Sequence, residues 1–179
     1  MMAANKFRIA LIQLAVSANK QHNLQRAACL ISEASKEGAK IICLPEGFNS
    51  PYGVEYFEKY QESIPGETSK MLEKAAKENY VYLIGGSFPE LDSGKLYNTS
   101  LSFGPDGRLL GKHRKVHLFD IDIPGRITIR ESEAMNPGNS LTIIQTDLCK
   151  IGVGICYDIR FAAMAMVYAK KGKKLLSTQ

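Results

Sequence analysis

The stretch Ile151-Gly152-Val153-Gly154-Ile155-Cys156-Tyr157-Asp158-Ile159-Arg160-Phe161 constrains this chain more than any other. The short apolar run from Ile151 to Ile155 reads as a buried strand. Just beyond it the pattern becomes helical: Phe161, Met164, Ala165 and Tyr168 fall at i, i+3, i+4 and i+7, one helical face. Cys156 therefore stands where a strand turns into a helix. A sharp turn of that kind pushes one side chain out at the end of a sheet, which suits a nucleophile. The start of the following helix gathers unpaired backbone N–H groups, which can hold a thiolate or an oxyanion. The competing reading is a structural cysteine, because free Cys is among the most buried residue types. The rest of the chain decides between them.

The remaining elements alternate in the same manner. Phe7 to Leu14 reads as a core strand, Asn23 to Lys36 as a helix with Leu24, Ala27, Ala28, Ile31 and Ala34 on its apolar face, and Lys40 to Leu44 as a second strand. Strand, helix, strand at this length is a βαβ unit with parallel neighbours. Pro45 and Glu46 close the second strand, and a polar, aromatic loop follows. A short helix is expected over Tyr56–Gln61 and a longer one, capped by Thr68, to Asn79, with Met71, Leu72, Ala75 and Ala76 inward. Val81 to Ile84 is a third strand. Leu96–Phe103 and Arg108–Lys115 read as a hairpin around Gly104-Pro105-Asp106-Gly107. From Val116 to Asn139 the pattern is irregular, and a loop of that length in a compact domain usually has a job. Ser140–Thr146 and Lys150–Ile155 form another strand pair. A helix over Arg160–Lys171 stops at Gly172, and Lys173–Leu176 begins a further strand. The fold class is α/β, in one domain spanning residues 1–179.

Composition narrows the function. No stretch has the length of a membrane span, and Met1 to Lys6 lacks the apolar core of a secretory signal, so no membrane partner and a cytoplasmic location are expected. Cys29, Cys43, Cys149 and Cys156 show no metal-site spacing and read as free thiols. The net charge of +5 comes partly from the runs Lys112–Lys115 and Lys170–Lys174, and does not by itself point to nucleic acid. Gly152 and Gly154 lack the third glycine of a dinucleotide fingerprint. His113 and His117 have the spacing of a helical ligand pair but lie in strand and loop, with no third ligand. Neither cofactor nor metal is expected.

Reactive groups in α/β sheets gather at the carboxyl ends of strands. Glu46, Lys115 and Cys156 all stand at such ends. A carboxylate can take the thiol proton. The thiolate can then attack a carbonyl or nitrile carbon to form a covalent intermediate. An ammonium and a backbone N–H can stabilise the developing oxyanion. Each also has a plainer reading: Glu46 as a solvated loop acid, Lys115 as part of a basic face or anion patch.

Leu44-Pro45-Glu46, His113-Arg114-Lys115-Val116-His117-Leu118-Phe119-Asp120 and Gly154 to Phe161 together resemble the nitrilase superfamily of carbon–nitrogen hydrolases. The resemblance runs from Phe7 to about Leu176. It implies Glu46, Lys115 and Cys156 as a catalytic triad, a four-layer α-β-β-α sandwich, and dimers or larger assemblies. It also implies Glu131, in the long loop, and Tyr157 as residues positioning substrate or supporting the oxyanion. Phe48 to Gly53, Tyr82 to Ser87, Lys95 to Thr99 and Phe119 to Gly125 resemble the omega-amidase branch. That branch hydrolyses the terminal amides of 2-oxoglutaramate and 2-oxosuccinamate to the dicarboxylic keto acids and ammonia. Beside the cytoplasmic location expected from the N-terminus, a mitochondrial one stays open. Two positions depart from the family pattern: Gly47 stands where Cys is common, and Ala163 where Glu is common. The family also continues well beyond residue 179, so the sheet is expected to be incomplete at its C-terminal side, with exposed apolar edges. Three rival readings follow. One is a catalytically inactive truncated form, and another is a different amidase or carbamoylase of the same superfamily. The third is a basic module binding phosphates through its lysine runs.

Overall fold

The computed structural model describes residues 6–173 and 175–179. Most of the N-terminal segment read for a signal, and Lys174 of the second basic run, lie outside the described residues. Strand β1 (Arg8–Leu11), helix α1 (Lys20–Lys36) and strand β2 (Ala39–Cys43) make the expected βαβ unit, with β1 and β2 parallel. The helix starts a turn earlier than its apolar pattern because the Asn19 side chain accepts the His22 N–H at 3.0 Å. Asn23 is instead buried, donating to the carbonyls of Ser17 and Asn49. Strand β1 is shorter than its apolar run and is no core strand. It sits at the sheet edge, and Leu11 is 78% exposed.

Helix α2 (Val54–Tyr60) precedes α3 (Glu67–Asn79). Gly66, not Thr68, caps α3, sharing hydrogen bonds with Ser69; Thr68 lies buried within the first turn against Asn49 and Glu62. Leu72, Ala75 and Ala76 are buried as expected, and Met71 is half-buried. Strand β3 (Tyr82–Ile84) pairs parallel with β2. Strands β4 (Phe88–Asp92), β5 (Lys95–Phe103) and β6 (Leu109–Arg114) form an antiparallel meander. The sequence pattern did not reveal β4, because Pro89 interrupts its run; β5 pairs along one edge, and Glu62 bridges the other. The sheet order is β1-β2-β3-β5-β4, with β6 beside β5.

The segment read as irregular contains a hairpin, β7 (Asp120–Ile123) and β8 (Ile127–Arg130), followed by a short 3-10 turn over Glu131–Glu133. Strands β9 (Thr142–Gln145) and β10 (Lys150–Gly154) pair antiparallel, and β11 (Leu175–Thr178) adds to β10 in parallel. Helix α4 (Ala162–Lys170) makes the crossover between β10 and β11.

Helices α1 and α3 cover one face of the six-stranded sheet, burying Leu24, Ile31 and Leu72 against Leu83 and Leu101. Its other face meets the second sheet, where Ile41, Cys43 and Ile84 pack with Ile144, Ile151 and Val153. Burying each such aliphatic side chain contributes about 1.5–3 kcal/mol. On the far side, the Tyr168 hydroxyl of α4 donates to the Val153 carbonyl at 2.6 Å and accepts from the Thr142 N–H at 3.1 Å. The layers are thus α, β, β, α, as the resemblance implied. An apolar groove runs between β1 and β11, lined by Ile9, Leu11, Ile12, Leu175 and Leu176. Among the described residues, no helix is long and apolar enough to cross a membrane.

Candidate active site

Lys115 follows β6 and has no exposed side-chain surface. Its backbone is held on both sides: the N–H donates to the Asn98 carbonyl at 2.9 Å, and its own carbonyl accepts from Gly138 at 2.8 Å. A buried ammonium needs charged partners. Nζ has two, Glu46 Oε1 at 2.8 Å and Glu131 Oε2 at 2.9 Å. Burial alone pushes the ammonium down, but the two carboxylates outweigh it and hold Lys115 above its ordinary range.

Glu46 comes from the end of β2. The chain bends sharply behind it through Gly47, whose φ of +62° favours glycine over a side chain. Glu131 is brought in by the 3-10 turn after β8, and its Oε2 also accepts the Phe119 N–H at 2.7 Å. Asn98 of β5 donates to Glu46 Oε1 at 2.9 Å and to Glu131 Oε1 at 3.3 Å. Position at a strand end does not pick out Asn98, which lies within β5. Its signal was a carboxamide in a strand buried over most of its length, where a polar side chain needs a partner.

Cys156 lies just beyond β10. The strand does not run directly into a helix: a 3-10 turn over Cys156–Arg160 intervenes, and α4 begins only at Ala162. Cys156 has a φ of +43°, a left-handed conformation that costs a non-glycine residue about 1–3 kcal/mol. Its N–H is not unpaired, because it donates to the Gln179 carbonyl at 2.7 Å. Cys156 is exposed, whereas Cys43 and Cys149 are the buried structural thiols. Its sulfur shares a cleft with the Glu46 carboxylate. Partial burial, then the Glu46 carboxylate, push the thiol up to about 11, so it is protonated at neutral pH. Phe161 also departs from the expected buried face: 36% exposed, it stacks on His117 at 3.5 Å while Met164 and Tyr168 carry the helix packing.

Glu46 and Cys156 open into a cleft of about 690 Å³ walled by Tyr52, Phe119, Ile121 and Tyr157, with Arg160 at its edge. The Tyr157 ring packs edge-to-face on Phe119 at 5.1 Å and on Phe161 at 5.4 Å. Burial, then Glu131 and Glu46, keep the Tyr52 phenol protonated well above its ordinary range. Arg160 is exposed, and the sequence reading treated it only as motif.

The basic run Lys112–Lys115 is not a free cationic face. Lys112 and Arg114 both bind Glu90, at 2.8 Å, and Lys115 is enclosed between its two acids. His113 and His117 are not on a helix; both turn to Asp158, at 3.2 and 2.7 Å.

Residues 8–179 match the model of the carbon-nitrogen hydrolase family. The chain is 60% identical over 171 residues to omega-amidase NIT2 of Xenopus tropicalis and 57% identical over 170 residues to that of Homo sapiens. These matches cover 96% and 95% of this chain and 62% of each relative, so the chain spans less than two thirds of their length. The structure superposes on Saccharomyces cerevisiae Nit3, of branch 10 of the nitrilase superfamily, with a TM-score of 0.87 at 43% identity, covering 98% of this chain and 66% of that one. The C. elegans NitFhit protein follows at a TM-score of 0.81 and 26% identity, over 95% of this chain and 42% of that one. The family match covers nearly the whole chain, and the chain belongs to the carbon–nitrogen hydrolase family.

Proposed function

We propose that this chain is an omega-amidase with Cys156 as nucleophile, Glu46 as acid and base, and Lys115 as electrostatic support. Its substrates are 2-oxoglutaramate and 2-oxosuccinamate, and its products the 2-oxo dicarboxylic acids and ammonia. The observation that carries the reading is one arrangement: Lys115 Nζ held between Glu46 and Glu131, with Glu46 and Cys156 lining the same cleft.

A thiol raised to about 11 is a poor nucleophile at rest, so proton removal must accompany attack. Glu46 takes the proton as sulfur bonds to the amide carbon. The oxyanion that forms is stabilised by the Lys115 ammonium and the Tyr157 N–H. The tetrahedral adduct collapses as Glu46 returns the proton to the amide nitrogen, and ammonia leaves a thioester on Cys156. Glu46 then deprotonates water, which attacks the thioester carbon; the acid departs and the thiol is restored. Glu131 keeps Lys115 charged and in place. Arg160, the cation at the cleft edge, offers a bidentate partner for the carboxylate at the substrate's other end. The NIT2 relatives of frog and human, named omega-amidases, support this choice of substrate.

The reading places the whole of 1–179 in one hydrolase domain, working as a homodimer in the cytoplasm or the mitochondrial interior. Exposed Leu11 and the apolar groove beside it favour a second reading, in which the chain holds this geometry without turnover. Ammonia release from 2-oxoglutaramate separates the two. The purified chain is expected to release ammonia and 2-oxoglutarate, and Cys156→Ala is expected to release neither. A folded wild-type chain that releases no ammonia selects the second reading, and release that persists in Cys156→Ala removes Cys156 from its role.

A further inference from the structure

Asp158 lies two positions after Cys156 and is 2% exposed. It receives four hydrogen bonds. Oδ1 accepts the His117 N–H at 2.9 Å and Nδ1 at 2.7 Å; Oδ2 accepts the Ile155 N–H at 2.9 Å and His113 Nε2 at 3.2 Å. A carboxylate only accepts, so both ring nitrogens facing it carry hydrogen. These partners hold Asp158 well below its ordinary range, at about 2, against the upward push of burial.

The pattern matters because of where the partners sit. His113 and His117 flank Lys115 two residues away on either side, at the end of β6. Ile155 immediately precedes Cys156. One carboxylate therefore ties both neighbours of the buried ammonium to the turn that carries the thiol. The Phe161 ring closes the far end of that turn by stacking on His117, with planes 9° apart. The turn needs such support, since the left-handed backbone of Cys156 persists only where its surroundings over-determine it.

We propose that Asp158 is a positioning residue that sets the register between Lys115 and Cys156 through its hydrogen bonds to His113, His117 and the Ile155 N–H. The inference rests on the reading of Cys156 as nucleophile. Asp158 does not touch the substrate cleft and takes no proton in the reaction. Its role is to keep sulfur beside Glu46 and the ammonium. A Cys156 released from this register moves away from Glu46, Lys115, Glu131 and Tyr52, the ionisable groups that face it.

The test is Asp158→Asn, whose carboxamide keeps the shape but turns a donor towards at least one of the existing donors. Two readouts should move in opposite directions. The kcat for ammonia release should fall about 10- to 100-fold with KM within about twofold, as expected for a small displacement of reacting groups. Alkylation of Cys156 by iodoacetamide should become faster at pH 8, its midpoint moving down from about 11 towards the ordinary thiol range. Both are read well below the melting temperature, so a change of global stability alone moves neither. A folded Asp158→Asn with unchanged kcat, with a loss confined to KM, or with unchanged alkylation overturns the inference. If that variant does not fold, His117→Phe carries the same test, since it keeps an aromatic ring for Phe161 and removes only the Nδ1–H. It should give smaller changes of the same two signs, and no change in either readout overturns the inference. If the wild-type chain releases no ammonia, the proposed activity fails, and alkylation still decides on Asp158 because it needs only the thiol.

Discussion

Lys115 is a fully buried cation whose place is set by two acids from distant parts of the chain. Breaking a buried ion pair by removing one partner typically costs about 3–5 kcal/mol. Lys115→Met would leave Glu46 and Glu131 side by side without the charge between them, so stability should drop by about that amount. Loss of the oxyanion's cationic partner should lower kcat by a further factor of about 10²–10³. Urea unfolding and steady-state ammonia release check the two effects, and a Lys115→Met chain with unchanged kcat would show that the ammonium is structural. At this scale the sequence was informative where a strand end carried an ionisable group: Glu46, Lys115 and Cys156 stand out by position, and the structure brings them near one another. Glu131 entered only through resemblance, because its place depends on a hairpin hidden in an irregular pattern. Asn98 and Asp158 were not legible as partners, because what identifies them is what they touch across the fold.

Among the elements, the crossover from β10 through α4 to β11 was drawn nearly correctly from periodicity. What periodicity could not show was the 3-10 turn that separates Cys156 from helix α4. Asp158, at the third position of that turn, accepts the N–H of Ile155 just before it, a capping arrangement that fixes where the turn begins. Strand β4 was hidden for a different reason: a proline inside it masks its pairing with β5. The fit of α4 on the second sheet rests on the bare backbone at Gly152. A Cβ there would lie 2.8 Å from the Tyr168 ring. Gly152→Ala should therefore push the ring off the Val153 carbonyl and cost about 1–3 kcal/mol, lowering Tm by several degrees. Calorimetry checks this, and an unchanged Tm would show that α4 is free to shift at no cost.

Taken as a whole, the molecule holds its site in the seam between two sheets, with each sheet and the hairpin loop supplying part. Glu46 and Lys115 come from the strands of the first sheet, Cys156 from the second, and Glu131 from the loop after β8. No single element contains the chemistry, so the site exists only when the layers are stacked. The layered class followed from the alternation of elements, while the stacking itself depends on long-range contacts that one sequence does not display. If this stack makes a covalent amidase of Cys156, the intermediate can be trapped by mixing the chain with 2-oxoglutaramate, quenching in acid within the first turnovers, and mapping the mass by peptide. An acyl adduct is expected on the Cys156 peptide, disappearing as substrate is exhausted and absent from Cys156→Ala. Ammonia release without any adduct on that peptide would contradict that role of Cys156.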